Sequence, residues 1–185
     1  MTRAFERTQL ADGQIERLVD LARRSPSAGN TQGCELVVLE GAATARFWDI
    51  TLPAARRSTF RWQQLLNAPV IVLPFADRDA YLARYSETDK SRSGLGDAAA
   101  WPVPYWQLDA AMFVMTMLLA IEDAGLGALW FGVFHNSDEL VASLNVPSGW
   151  QLIGALALGH PLPSGAGRSA TRVRRDVGSI IHRRS

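Results

Sequence analysis

Between Tyr105 and Gly125 the chain reads YWQLDAAMFVMTMLLAIEDAG, a helical stretch that is apolar on nearly every side, with only Asp109 interrupting its first part. At 100° per residue Met112, Phe113, Met115 and Met117 point in different directions, and a soluble helix of that kind is buried at the centre of its domain. The apolar run from Met112 to Ile121 falls short of the roughly 20 residues that cross a bilayer, so protein has to supply the cover. A sheet can cover one face. A second face needs either another helix of the same chain or a second copy, meeting this one in an isologous contact. A chain of 185 residues predicts one domain, 1–185, with room for a proper core.

The flanking segments supply the layers. DGQIERLVDLARRS carries Ile15, Leu18, Val19 and Ala22 at helical spacing, with Asp12 placed to cap it. CELVVLEG is a short apolar strand ending at Gly41, and APVIVLPFA is a second, entered through Pro69. Between them AATARFWDITLPAARR reads as helix broken at Pro53. After the central helix, Gly125 suits a helix C-terminus and LGALWFGVF is a third strand. Asn136 with Glu139 three residues on resembles a capping box for the helix NSDELVASLNV, and QLIGALALGHP is a fourth strand. Apolar strands flanked by helices predict a three-layer α-β-α domain; this pattern leaves the strand order open. Residues 77–104 turn polar and then rich in Gly, Ala and Pro, a short helix and a long variable loop of the kind that is commonly functional. Trp101, Tyr105 and Trp106 cluster at its end. Residues 164–185 form a basic arm with six arginines between Arg168 and Arg184.

Several chemistries find no support. A net charge of +1 argues neither for nucleic acid nor for a membrane surface, and the arginine arm lacks interleaved aromatics. Cys34 is the only cysteine, so there is no internal disulfide and no cysteine-based zinc site; a reducing, cytoplasmic compartment fits. The opening MTRAFERTQLADGQ has no apolar signal core. His135, His160 and His182 show no metal-ligand spacing. No nucleophile elbow is present, and no Gly-rich dinucleotide fingerprint follows a strand.

One connection is overbuilt for its task. RRSPSAGNTQG, Arg23 to Gly33, is longer than the two to six residues that commonly join a helix to a strand. Its Gly and Ser remove side-chain bulk, so that a flat ring can lie against exposed backbone. Asn30 and Gln32 each carry both donor and acceptor. A pyrimidine edge of alternating C=O and N–H, such as that of a flavin, requires this chemistry; a Gly-capped loop is the plain alternative.

Four segments then fall in one order. SPSAGNTQ before ELVVL is similar to the "APSAGNxQPW" and following strand of the nitroreductase family of FMN-dependent oxidoreductases. LLAIEDAGLGALWFGVF resembles that family's core helix and "GLG-x-x-W-x-G-x-F". ELVASLNVPSGWQLIGALALGHP resembles its "LLGIPEGW-x-x-x-ALLALGYP", and RVRRDVGSIIH its basic tail. The resemblance covers almost the whole chain. It departs at two places. The family's opening "RRSxRxF" survives only as Arg3 to Phe5, and its "QPW" is Gln32, Gly33 and Cys34 here, which implies a weaker hold on FMN or a wider pocket.

The resemblance implies an α+β fold, a mixed, mainly antiparallel sheet around the long core helix. It implies FMN held by Arg3, Pro26, Ser27, Ala28, Asn30, Gln32, Phe131 and Gly132, with Arg172 and Arg174 on the phosphate. The backbone N–H of Gly132 is expected at flavin N5. Trp101, Tyr105, Trp106 and Asp109 are candidates for the substrate side, with residues 92–104 over the flavin face. The implied reaction is ping-pong: NAD(P)H gives hydride to FMN and leaves, and a nitroaromatic, quinone or enone takes the electrons. A homodimer with FMN at the subunit interface is expected, and no metal. Two other readings stay open: a flavin-binding or flavin-sequestering protein with little turnover, and a deazaflavin or flavin-modifying relative.

Overall fold

A computed structural model describes residues 1–163 and 167–184. Residues 164–166 and Ser185, which belong to the expected basic arm, lie outside the described residues. Among the described residues six helices and five strands follow in the order α1 (Gln14–Ala22), β1 (Cys34–Glu40), α2 (Ala42–Thr51), α3 (Ala54–Arg57), β2 (Val70–Asp77), α4 (Arg78–Ser86), α5 (Tyr105–Asp123), β3 (Gly127–Phe131), α6 (Ser137–Ser143), β4 (Trp150–Leu152) and β5 (Ala155–Gly159).

The sheet runs β1-β2-β5-β3, with β4 also on β2. Every pairing among the described residues is antiparallel, for example Val37 with Leu73, Val72 with Leu156 and Leu129 with Ala157. This agrees with the expected, mainly antiparallel α+β sheet, with no parallel pair among the described residues. The three layers do form. Alternate residues of β2 point to opposite faces. Val70 and Val72 join Leu18, Phe113, Met117 and Ile121 under α1 and α5, while Ile71 and Leu73 join Phe47, Trp48 and Leu140 under α2 and α6.

The expected fourth strand divides in two, and its partner strand gives the reason. β2 pairs β5 through Val70–Val72 and β4 through Phe75–Asp77. The switch falls at Pro74, which has no N–H for the ladder and accepts the Ile153 N–H through its carbonyl, at 3.1 Å. Gly154, at φ 151°, makes the break on the other side.

Two expected caps are also corrected. Gly13, not Asp12, precedes α1, in the left-handed region. Asn136 sits at φ 53° and makes no cap bond; its amide instead donates to the Ile50 carbonyl at 2.9 Å, tying α6 to α2. The arm beyond Gly167 holds two short 3-10 turns, Arg168–Thr171 and Val177–Ser179.

The central helix α5 presses Trp106, Phe113, Val114, Met117 and Ile121 into the protein. Its other side carries Leu108, Met112, Met115 and Leu119, all exposed, Leu119 at 61%. These residues recur at helical spacing and form one apolar stripe that no helix among the described residues covers.

Candidate functional site

The segment from Arg23 to Gly33 leaves α1 and reaches β1 through backbone that ordinary residues avoid. Gly29, Asn30 and Gln32 have φ of 62°, 54° and 57°, left-handed values that cost a non-glycine residue free energy and cluster where surrounding structure imposes them. Here the surroundings are identifiable. Ser25 Oγ donates to Thr116 Oγ1 at 2.6 Å. Ser27 Oγ accepts the Gln32 N–H at 2.9 Å and closes the loop on itself. The Ala28 N–H donates to Asp109 Oδ2 at 2.7 Å. The Gly29 carbonyl accepts from Arg84 Nε at 2.9 Å, and Arg84 is itself paired with Asp89 through both terminal nitrogens, at 2.7 and 2.8 Å. The loop is held from beneath by α5 and from the side by α4.

Below it lies a cleft of about 110 Å³, bounded by Pro26, Ser27, Gln32, Cys34, Tyr81 and Asp109. The expected widening at Gly33 and Cys34 is not found, because the Tyr81 ring takes the space. A Cβ on Gly33 would stand 2.7 Å from Tyr81 Cε2. Tyr81 is fully buried, with Trp101 and Trp106 edge-on to it at 6.0 and 6.4 Å between ring centroids. Its hydroxyl donates to Asp109 Oδ2 at 2.8 Å. Burial pushes the Tyr81 phenol up, and the bond to Asp109 pushes it further, so it remains a donor. Burial also pushes the Cys34 thiol up to about 12, with the Glu35 carboxylate adding to the shift.

The candidate substrate residues divide. Trp101 and Trp106 are buried in the aromatic cluster behind Tyr81. Trp101 Nε1 donates to the Leu95 carbonyl at 2.8 Å, which closes the variable loop on itself, while its ring packs edge-on against Tyr81 and Tyr85 of α4, and Trp106 Nε1 donates to Gln151 Oε1 at 3.1 Å. Tyr105 remains exposed. Asp109 lies on the cleft wall.

Phe131, the last residue of β3, and Gly132 after it lie elsewhere, in a second cleft of about 460 Å³ shared with Arg3, Trp48, Phe134 and His135. The two clefts share no lining residue. Phe134 is 88% exposed, and its ring stands where a side chain on Gly132 would go, 2.5 Å from that Cβ position. Arg3 lies 5.4 Å over the Trp62 ring, and the arm passes it at Gly167, where a Cβ would be 3.2 Å from the guanidinium carbon. Arg172 and Arg174 are exposed on the arm. Trp48 Nε1, in the wall of this cleft, is a buried donor without a partner among the described residues. Arg56 Nη1 lies 3.3 Å from His135 Nε2.

Beside the loop, Phe131–Gly132 and Asp109, which the sequence names, the structure places Tyr81, Arg84, Trp48 and Arg56, which it does not. The Tyr81, Arg84 and Tyr85 spacing on α4 was the available signal, since residues three and four apart share a helix face.

The profile of the nitroreductase family matches residues 1–160. A curated relative, an NADH dehydrogenase of Thermus thermophilus, is 25% identical over 182 residues, covering 88% of this chain and 83% of the relative. Among solved structures, a nitroreductase-like protein of Streptococcus mutans superposes with a TM-score of 0.75 at 20% identity, covering 100% of this chain and 93% of the other. A nitroreductase candidate of Desulfovibrio desulfuricans in complex with FMN superposes at 0.69 and 22% identity, covering 100% and 91%. At these identities the structural likeness establishes the fold. No helix among the described residues is long and apolar enough to cross a membrane.

Proposed function

Because the chain belongs to the nitroreductase family of oxidoreductases, we propose that it is an FMN-dependent NAD(P)H oxidoreductase working as a homodimer, with each site assembled from two protomers. The observation that carries this reading is the loop Ser25–Gln32: left-handed backbone, free of bulky side chains, held rigid by Asp109 and Arg84 from the protomer's own helices. Such a surface suits a flat ring bound by backbone groups.

The residues present fit FMN. The cleft of about 110 Å³ is well below the roughly 300–1,000 Å³ of a cofactor-sized pocket, so one protomer offers only part of a site. The uncovered stripe of Leu108, Met112, Met115 and Leu119 gives a second copy a place to dock through the same residues. In that dimer the loop of one protomer and the Phe131–Gly132 edge of its partner would serve one cofactor. Ser27, Ala28 and Asn30 would bind one side, and Arg3, Arg172 and Arg174 the phosphate, through bidentate guanidinium contacts. Gly132, with no Cβ, offers its N–H to a ring approaching the end of β3. Bound FMN supplies the two-electron exchange between a nicotinamide and an acceptor. The chain's share is positioning, exclusion of water by the Tyr81–Trp101–Trp106 wall, and cation placement at the phosphate.

Purified protein is expected to be yellow, to release FMN rather than FAD on denaturation, and to bleach on mixing with NADH or NADPH in a stopped-flow spectrometer. A colourless preparation that takes up no added FMN overturns the reading. A yellow protein that neither nicotinamide reduces replaces it with flavin sequestration.

A further inference from the structure

Asp109 is the one buried charged side chain among the described residues, 6% exposed, and the binding roles above leave its charge unused. It stands on α5 beside Trp106, Ala110 and Phe113, all buried and apolar. No arginine, lysine or histidine among the described residues forms an ion pair with it. Both of its hydrogen bonds, from the Ala28 N–H and the Tyr81 hydroxyl, fall on Oδ2. Oδ1 accepts nothing from the described residues, and the carboxylate borders the cleft under the loop.

Burying a carboxylate away from any cation opposes folding, and two hydrogen bonds to one oxygen offset only part of that. The arrangement around it is nonetheless specific. Gly33, Trp101 and Trp106 fix the Tyr81 ring, which aims its hydroxyl at Oδ2. Oδ2 then fixes the Ala28 N–H, and with it the left-handed turn at Gly29 and Asn30.

We propose that Asp109, aimed by Tyr81, is a positioning residue for the cofactor loop, and that its unpaired charge on the cleft wall biases bound FMN toward the oxidised state. The inference rests on the FMN reading above. Its physical basis is Coulombic: reduction adds negative charge to the bound group, and a fixed anion in a poorly solvated wall opposes that addition.

The test is a titration of wild type, Asp109→Asn and Tyr81→Phe with oxidised and with reduced FMN, together with the midpoint potential of each complex and near-UV circular dichroism as a check of fold. Asparagine keeps an oxygen for Ala28 and Tyr81, removes the charge, and places its NH2 where Oδ1 stood, on the cleft side. Reduced FMN should gain about tenfold over oxidised FMN in this variant, which raises the two-electron midpoint by about 30 mV. Tyr81→Phe keeps the charge and removes one of the two bonds that hold the carboxylate. Both redox states should bind roughly fivefold more weakly, as for one lost hydrogen bond, with their ratio unchanged. A folded Asp109→Asn protein with the wild-type ratio overturns the electrostatic role. A Tyr81→Phe protein with wild-type affinity overturns the positioning role, and it decides that question even if Asp109→Asn does not fold. A wild-type chain that binds no FMN overturns the functional reading itself, and this inference with it.

Discussion

Replacing Gly33 by Ala tests whether the Tyr81 ring fills the space beside the loop. Gly33 is not in the left-handed region, so alanine meets no backbone penalty there, and the cost is steric. The new Cβ would stand 2.7 Å from Tyr81 Cε2, 3.1 Å from Cδ2 and 3.2 Å from the Asp77 carbonyl oxygen. Neither partner can easily retreat. The Gly33 carbonyl accepts the Asp77 N–H at 2.9 Å, which ties this backbone to the end of β2. Tyr81 is hemmed in by Trp101 and Trp106 and bound to Asp109. Overpacking a buried site costs about 1–3 kcal/mol, and loss of the Tyr81–Asp109 bond, which involves a charged acceptor, adds about 1.5–3 kcal/mol. We expect a loss of about 4 kcal/mol, which at a urea slope of roughly 2 kcal/mol/M moves the unfolding midpoint down by about 2 M. The measurement compares both proteins at one protomer concentration, because the proposed dimerisation would enter the apparent stability. It is repeated with Leu at position 81. Without the ring, alanine at 33 should cost less than about 1 kcal/mol, and the difference between backgrounds is the coupling. Equal costs in the two backgrounds, or a midpoint shift under roughly 0.3 M with Tyr81 present, would refute the filled-wall account.

Three further outcomes are expected of the same protein. Cys34, with its thiol pushed up to about 12 by burial, stays protonated at pH 8 and should react with a disulfide reagent only on unfolding. Because its folded pKa is raised, the stability it contributes is fully present below about pH 9 and declines toward pH 12; rapid labelling of the native protein sinks the point. Asn30, at φ 54°, should lose about 1 kcal/mol as Ala and almost nothing as Gly; if FMN affinity falls equally in both, the Asn30 amide binds the cofactor, and if it falls only with Ala, the backbone conformation matters. Met115→Arg, in the exposed stripe of α5, should give a monomer by light scattering that no longer retains FMN, whereas a dimer persisting at nanomolar concentration places the two-fold axis elsewhere.

What could be read from the sequence is what local periodicity and local sterics determine. The bounds of α5, the break at Pro53 and the strands β1 to β3 follow from spacing that any short window contains. The fourth strand was misread because its division is dictated by Pro74, a residue of another strand whose missing N–H becomes relevant only once β4 and β5 lie beside it. The capping box at Asn136 failed for a related reason: its amide had a competing acceptor at Ile50, on a different helix. The site divides along the same line. The composition of Ser25–Gln32 announces exposed backbone, but the side chains that fix that backbone, Asp109, Tyr81 and Arg84, come from two distant helices. Gly33 and Cys34 looked like an opened wall because a missing side chain is visible in a sequence, whereas the ring that replaces it is not. Phe131–Gly132 and the loop were assigned to one cofactor by resemblance, yet in one protomer they line separate clefts. Local pattern identifies the loop and the Phe131–Gly132 edge separately; in the proposed dimer a contact between two copies of α5 would join them, and its trace in the sequence is a helix with more apolar faces than its own domain can cover.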